Sequence, residues 1–146
     1  MARPKTAPTA RAAAARRLIR AAGERLTAPR AAVLAVLLEA RSALTHHEIG
    51  AALAATMPVD RVTVYRVLDW LVTLELAHRI AGEDRAWRFR ASRAPAHGPH
   101  AHFTCSRCGT TVCLEDVAVP PRVKLPRGFV PQKVELTVQG LCAACQ

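Results

Sequence analysis

The chain has 146 residues, 51% of them apolar, and carries 21 Lys and Arg against 11 Asp and Glu, a formal net charge of +10. That size allows one ordinary domain or two small ones, and the apolar content excludes wholesale disorder. The charge favours a polyanionic partner such as nucleic acid, and no apolar run reaches the roughly 18 residues of a membrane span, so a soluble protein is expected.

Residues 1–90 hold 15 basic and 8 acidic side chains and the remainder 6 and 3, so the polyanion partner is expected on the N-terminal part. Much of the apolar content is alanine, which favours helix but buries little area; the core must be small, and a structural metal would help it. The opening 23 residues are arginine-rich and acid-poor, like an organellar transit peptide, but they lack a secretory h-region and run directly into a helical pattern, so they are read as structural. Five cysteines, arranged as two C-x2-C pairs plus one, make poor material for a closed disulfide framework and suggest thiolate metal ligands in a reducing cytoplasm.

In chain order, an Ala/Arg helix from about Ala10 should stop at Gly23. "LTAPRAAVLAVLLEA" supplies Thr27 as N-cap, Pro29 in the first turn, and apolar side chains at Val33, Val36, Leu37 and Ala40, the spacing of one helix face. Thr45 and Glu48 form a T-x-x-E capping box that opens a third helix, closed by Pro58. Asp60 caps "RVTVYRVLDWLVTLEL", with Val64, Val67, Leu68 and Leu71 on one side. The opposite arc carries Val62, Thr63, Tyr65, Arg66, Asp69 and Trp70, a set suited to pressing against something polar.

"AHRIA", the turn "GED" and "RAWRFR" read as a short two-stranded hairpin. Helices followed by a hairpin describe a winged helix-turn-helix. Residues 91–99, "ASRAPAHGP", lack periodicity and read as a hinge. Beyond it "HFTC", "TTVCLE" and "KVELTV" look like strands, and the prolines of "VAVPPRVKLPRGFVP" exclude a long helix between them. The expected fold class is α+β: an N-terminal winged helix-turn-helix domain, residues 1–91, and a small C-terminal α/β domain, residues 92–146.

Cys105 and Cys108, then Cys142 and Cys145, can each wrap a tight knuckle that points two thiolates at one tetrahedral Zn(II), with Gly109 giving freedom after the first knuckle. Four thiolates leave no open coordination position, so such a zinc is structural; two local disulfides or a redox pair are the alternatives. The pairs sit at opposite ends of the C-terminal part, so zinc closes a loop that a weak core could hardly hold.

Subtracting those four leaves His97, His100, His102 and Cys113, together with His78 on the first wing strand and Glu115. His100 and His102 share one face of a strand, and Cys113 and Glu115 share one face of the next. Singly each is an ordinary residue, Cys113 a small hydrophobe and the histidines solvated. Their coincidence near the hinge makes a second, mixed N/S metal site geometrically cheap, better suited to Zn(II) than to Mg(II) or Mn(II). His46 and His47, beside a capping box on a surface helix, are read as ordinary.

Together "LTAPRAAVLAVL", "TVYRVLDWL", "HAHFTCSRCG" and "VQGLCAAC", in this order, resemble the ferric uptake regulator (Fur) family, most of all its zinc-responsive Zur branch, over roughly residues 16–145. The resemblance implies a homodimeric, metal-dependent DNA-binding repressor and not an enzyme. It also implies a four-cysteine structural zinc in a C-terminal dimerisation domain and a regulatory metal at the hinge. Tyr65 and Arg66 fall where relatives contact DNA, and His78, His100 and His102 at or near regulatory ligand positions.

Two departures stand out. Arg90 occupies the wing position where many zinc-sensing relatives place a cysteine, and Arg88 the place of the carboxylate of iron-type members. Cys113 stands where relatives commonly carry glutamate. The expected regulatory set is therefore His78, His100, His102 and Cys113, with His97 as an alternative for one histidine. The sulfur ligand favours zinc over iron, and an iron- or peroxide-responsive regulator is the alternative. Arg61, Thr63, Tyr65 and Arg66 are the expected DNA-reading residues, and Arg16, Arg17 and Arg20 the source of backbone attraction. A double-stranded operator and a second copy of the chain are the expected partners, with no small-molecule substrate. A zinc hydrolase or deaminase would need an open zinc position and a glutamate base, and "HAHF" lacks that glutamate. A zinc-ribbon adaptor that binds only protein would have no reason for an arginine-rich winged helix.

Overall fold

The computed structural model describes residues 10–82, 84–92, 101–114, 117, 123–132 and 134–146. Helix α1 (Ala10–Ala21) buries Ala15 and Ile19 and leaves Arg16, Arg17 and Arg20 exposed. It ends as the sequence requires: Gly23 takes φ +73°, open to a residue without Cβ, and its N–H bonds Arg20 O at 2.9 Å. In α2 (Ala28–Glu39), Thr27 Oγ1 accepts from Arg30 N and Pro29 lies in the first turn.

Helix α3 (His46–Ala54) opens on the capping box, with Glu48 N donating to Thr45 Oγ1 at 3.2 Å and Thr45 N to Glu48 Oε2 at 2.7 Å. Helix α4 (Arg61–Thr73) opens on Asp60, whose Oδ1 accepts from Thr63 N at 2.9 Å. The Thr63 hydroxyl and then its backbone N–H hold the Asp60 carboxyl below its usual value.

These four helices close over one apolar core. Ile19, Leu34, Leu37, Ile49, Leu53, Leu68 and Leu71 are fully buried, and each such side chain contributes about 1.5–3 kcal/mol relative to exposure. Trp70 departs from expectation. It packs against this core, half-buried, with the Arg30 guanidinium 3.8 Å from its ring centroid, because its large ring gains more by partial burial beneath a cation than on a polar face.

The wing strands β2 (Ala77–Ala81) and β3 (Trp87–Ala91) pair antiparallel, Ile80 opposite Arg88. A third strand that the sequence did not announce joins them: β1 (Leu44–Thr45) pairs with β3, giving the order β1-β3-β2. Two residues carry no readable alternation, so only the tertiary pairing defines β1.

The second sheet contains β4 (Ala101–Cys105), β5 (Thr111–Leu114) and β6 (Leu136–Gly140) in the order β5-β4-β6, with β5 antiparallel and β6 parallel to β4. The strand expected over "KVELTV" is thus displaced toward the C-terminus. Its parallel register, Leu136 opposite Ala101 through Gly140 opposite Cys105, is set by β4 rather than by its own alternation. Gly140 permits the approach, since a Cβ there would meet Phe103 Cε2 at 3.2 Å.

Among the described residues, the apolar core cluster draws only on those between Ala15 and Ala91. The second sheet buries instead a mixed set of Ala101, His102, Thr104, Cys105 and Thr111, with the Thr104 and Thr111 hydroxyls 3.3 Å apart. A backbone bond from Ala43 N to Thr111 O, 2.9 Å, ties the two sheets together.

Candidate metal centres and nucleic-acid interface

Strand β4 delivers Cys105 to the rim of its sheet, where the chain turns back at once. Gly109 N donates to Cys105 O at 2.9 Å, with Gly109 at φ +72°. Strand β6, its parallel neighbour, ends just before the second knuckle, in which Cys145 N donates to Cys142 O at 2.9 Å. Cys142 N also donates to Cys105 Sγ at 3.4 Å, so the two knuckles face each other. The four sulfurs lie within 4.8 Å of one another, and Cys108 Sγ stands 3.7 Å from Cys142 Sγ. A disulfide needs about 2.05 Å, whereas Zn–S bonds of about 2.3 Å in a tetrahedron give sulfur–sulfur edges of about 3.8 Å. None of the five cysteines is part of a disulfide.

The protonation chemistry points the same way. Backbone N–H groups of Cys108 and Cys142 pull the Cys105 thiol down to about 6, so the first thiolate forms readily. Cys145, bonded to the Cys142 and Cys108 sulfurs, is pushed up to about 12. One anion is stabilised by the backbone while further ionisation is opposed by neighbouring sulfurs. A divalent cation at the centre is what allows all four to ionise together, and the donor set fits Zn(II).

The second cluster spans both sheets. His78 comes from β2, His102 from β4 and Cys113 from β5, where His102 and Cys113 are directly opposite. Their ligand atoms lie within 4.8 Å of one another. His78 Nε2 is 3.3 Å from Cys113 Sγ, and the His78 and His102 rings are 5.5 Å apart between centroids. His102 is only 3% exposed. His97, His100 and Glu115 lie outside the described residues.

Arg88 and Arg90 of the wing are both engaged away from this cluster. Arg90, opposite His78 on β3, is buried and donates from Nη1 to Arg41 O at 2.9 Å. Arg88 forms a two-pronged pair with Asp84, at 2.8 and 3.0 Å. Two imidazoles and a thiolate suit a borderline-soft dication.

The ferric uptake regulator family model matches residues 21–138, 118 of the 146 residues. The chain belongs to the ferric uptake regulator family. This is a family of regulators and not of enzymes. The chain is 34% identical over 92 residues to ferric uptake regulation protein 1 of Mycolicibacterium fortuitum; the match covers 63% of this chain and 55% of that protein, so it spans about half the length of this curated relative. Among solved structures, holo XcZur is 30% identical with TM-score 0.63, covering 91% of this chain and 96% of that one. A zinc uptake regulator complexed with zinc and DNA, at 21% identity and TM-score 0.67, covers 96% and 95%. The Helicobacter pylori ferric uptake regulator, described with three functional metal-binding sites, is 19% identical with TM-score 0.62 over 99% and 97%. The last two comparisons establish the shared fold.

In this member of the family, the outward face of α4 presents Val62 and Tyr65, 58% and 44% exposed, beside exposed Arg61 and Arg66. Thr63 instead turns its hydroxyl to Asp60, so its first task is to start the helix. Arg16, Arg17 and Arg20 remain on the open face of α1. The residue that sequence reading passed over is His46. Its imidazole stacks on Tyr65 with ring centroids 3.8 Å apart and planes 8° from parallel, and its Nε2 lies 3.2 Å from Arg61 O. The capping box did place His46 at the first position of α3, but nothing in the local sequence says which ring a first-turn histidine will meet.

Proposed function

We propose that this chain is a zinc-responsive, DNA-binding transcriptional repressor that acts as a homodimer on a two-fold symmetric operator, with Cys105, Cys108, Cys142 and Cys145 as the structural zinc ligands. His78, His102 and Cys113 form the core of the regulatory site, and His100 completes the set, with His97 as the alternative fourth ligand. The observation that carries this reading is the meeting of a wing residue, His78, with His102 and Cys113 of the second sheet within one ligand radius.

His78 belongs to the sheet that carries the wing, whereas His102 and Cys113 belong to the sheet stapled by the four cysteines. Zinc held by all three supplies a cross-link between the two sheets. Drawing His78 toward Cys113 fixes the wing, and with it α4, relative to the rest of the chain. Less ordering is then left when two copies engage DNA together. Coupling between sites of this kind is typically about 1–3 kcal/mol, roughly 5- to 150-fold in affinity.

One recognition helix reads few base pairs, so a dimer on a two-fold symmetric site is needed for useful specificity. Arg61 and Arg66 serve for base-edge or phosphate contacts and Tyr65 for packing or hydrogen bonding, while Arg16, Arg17 and Arg20 supply attraction to the backbone. Exposed Val123, Leu125, Phe129 and Val130, together with Val138 on the edge strand β6, offer apolar surface for the second copy. Thiolate ligation by Cys113, with arginines in the wing positions, favours zinc over the iron- or peroxide-responsive alternative.

The test counts zinc equivalents per chain by competition with a chromophoric chelator, then selects duplexes from a randomised pool with the zinc-loaded protein. Two affinity classes, and a recovered palindrome whose binding needs the weaker one, are the expected result. A single class with metal-independent selection would overturn the reading.

A further inference from the structure

Among the described residues, the closest stack of two rings is that between half-buried His46 of α3 and exposed Tyr65 of α4. Three observations converge on His46. Its ring covers one face of the Tyr65 ring in near-parallel register, 3.8 Å between centroids. Its Nε2, 3.2 Å from Arg61 O, must carry the proton there, since a carbonyl oxygen can only accept. The Arg61 guanidinium in turn lies 5.9 Å from the Tyr65 ring centroid. One side chain of α3 therefore touches two residues, four apart on α4, among those that the functional reading assigns to DNA. Beside them a cleft of about 240 Å³ is lined by His46, His47, Gly50, Arg61 and Val64.

A solvent-exposed tyrosine at the end of a free rotor samples several χ1 wells, and DNA binding would have to select one. The flat stack removes most of that freedom beforehand. It also occupies one ring face, leaving the ring edge and the hydroxyl to meet DNA.

We propose that His46 is a positioning residue of the DNA-reading surface: it fixes the Tyr65 ring and the first turn of α4 in the orientation that the operator requires, without itself reading a base. This rests on the proposed DNA-binding function.

Tyr65 is the sole tyrosine of the chain, so incorporation of 3-fluorotyrosine gives one fluorine resonance that reports the stack directly. The experiment compares the native zinc-loaded protein, His46→Ala and His46→Phe by fluorine NMR without DNA, and by affinity for the duplex that the native protein selects. His46→Phe keeps a ring over Tyr65 while losing the bond to Arg61 O. His46→Ala is expected to move the resonance toward that of free fluorotyrosine and to weaken duplex binding about three- to tenfold, the scale of one lost aromatic pair. His46→Phe is expected to recover most of that loss, which a merely misfolded variant could not explain.

Binding by His46→Ala within twofold of native, or His46→Phe no better than His46→Ala, would overturn the positioning role. If the native protein selects no duplex at all, the DNA-binding reading itself fails and the proposal fails with it. If it selects one and His46→Ala binds equally well, only the role of His46 is lost.

Discussion

The two ligand clusters of this chain share an element and differ in almost everything else. The four-cysteine cluster is local in space: two knuckles on adjacent parallel strands, their turns closed by backbone bonds and one thiol already drawn down to about 6 by backbone N–H groups. The cluster of His78, His102 and Cys113 is assembled across two sheets: His102 and Cys113 face each other on paired strands, and His78 joins them only because the wing folds against the C-terminal part. The first site is built by the turns that carry it. The second exists only as far as the arrangement of the two sheets exists, which is the property a sensor needs and a staple does not.

The contrast extends to what holds each part. The helical part closes on fully buried leucines and isoleucines, whereas the second sheet buries threonine, histidine and cysteine. The largest effect is therefore expected from Cys142→Ser. Structural zinc of this type contributes on the order of 10–16 kcal/mol in small metal domains, so amide protection should collapse over residues 101–146 while the helical part keeps its own, as hydrogen exchange would show. Uniform protection across both parts would mean that the second sheet does not depend on the four-cysteine centre.

Leu68→Ala is next. Leu68 is fully buried in the helical core, and its truncation should cost about 2–5 kcal/mol. Denaturant titration would measure it, with zinc content at the four-cysteine centre unchanged in the native state.

Cys113→Ser should leave folding and the tight zinc class intact and weaken the second class by at least about 10-fold, the lower end of what even outer ligand-shell changes do. If the weaker class survives unchanged, Cys113 is an ordinary half-buried side chain and the regulatory set must be redrawn.

The smallest effect concerns the wing turn. Arg88 and the Ala86 N–H hold the Asp84 carboxyl down to about 2, below its ordinary 3.8. Because the folded value is the lower one, the pairing contributes fully above about 4 and is lost as pH falls through about 2. Wing-turn amide shifts should titrate in that window and not in Asp84→Asn.

Much of this was legible because the signals are local. Thr45 with Glu48, Asp60, Gly23 and the two C-x2-C pairs each announce a cap or knuckle within four residues, and the structure forms every one. His102 and Cys113 were readable as residues of two successive strands, whereas their direct opposition is set by the pairing of β4 with β5. What escaped was long-range. The two-residue strand β1 is defined by Phe89 and Arg88 on a strand more than forty residues away. The register of β6 is imposed by β4, Trp70 was drawn inward by Arg30, and His46 found Tyr65 across a helix-helix junction. No periodicity within a window encodes such meetings, since each is decided by where a distant element comes to rest.

Strand β4 carries one member of each cluster. His102 and Cys105 are three residues apart on one five-residue strand, so the proposed sensor and the proposed staple hang from the same short rail. A chain whose knuckles are open has no straight β4 on which to hold His102 opposite Cys113. On the proposed assignment, loading is therefore ordered: the first zinc makes the molecule, and only the second is a message. On that assignment the protein would read metal scarcity from a baseline of one ion per chain and never from zero, and a cell too poor in zinc to supply that first ion would lose the instrument before it lost the reading.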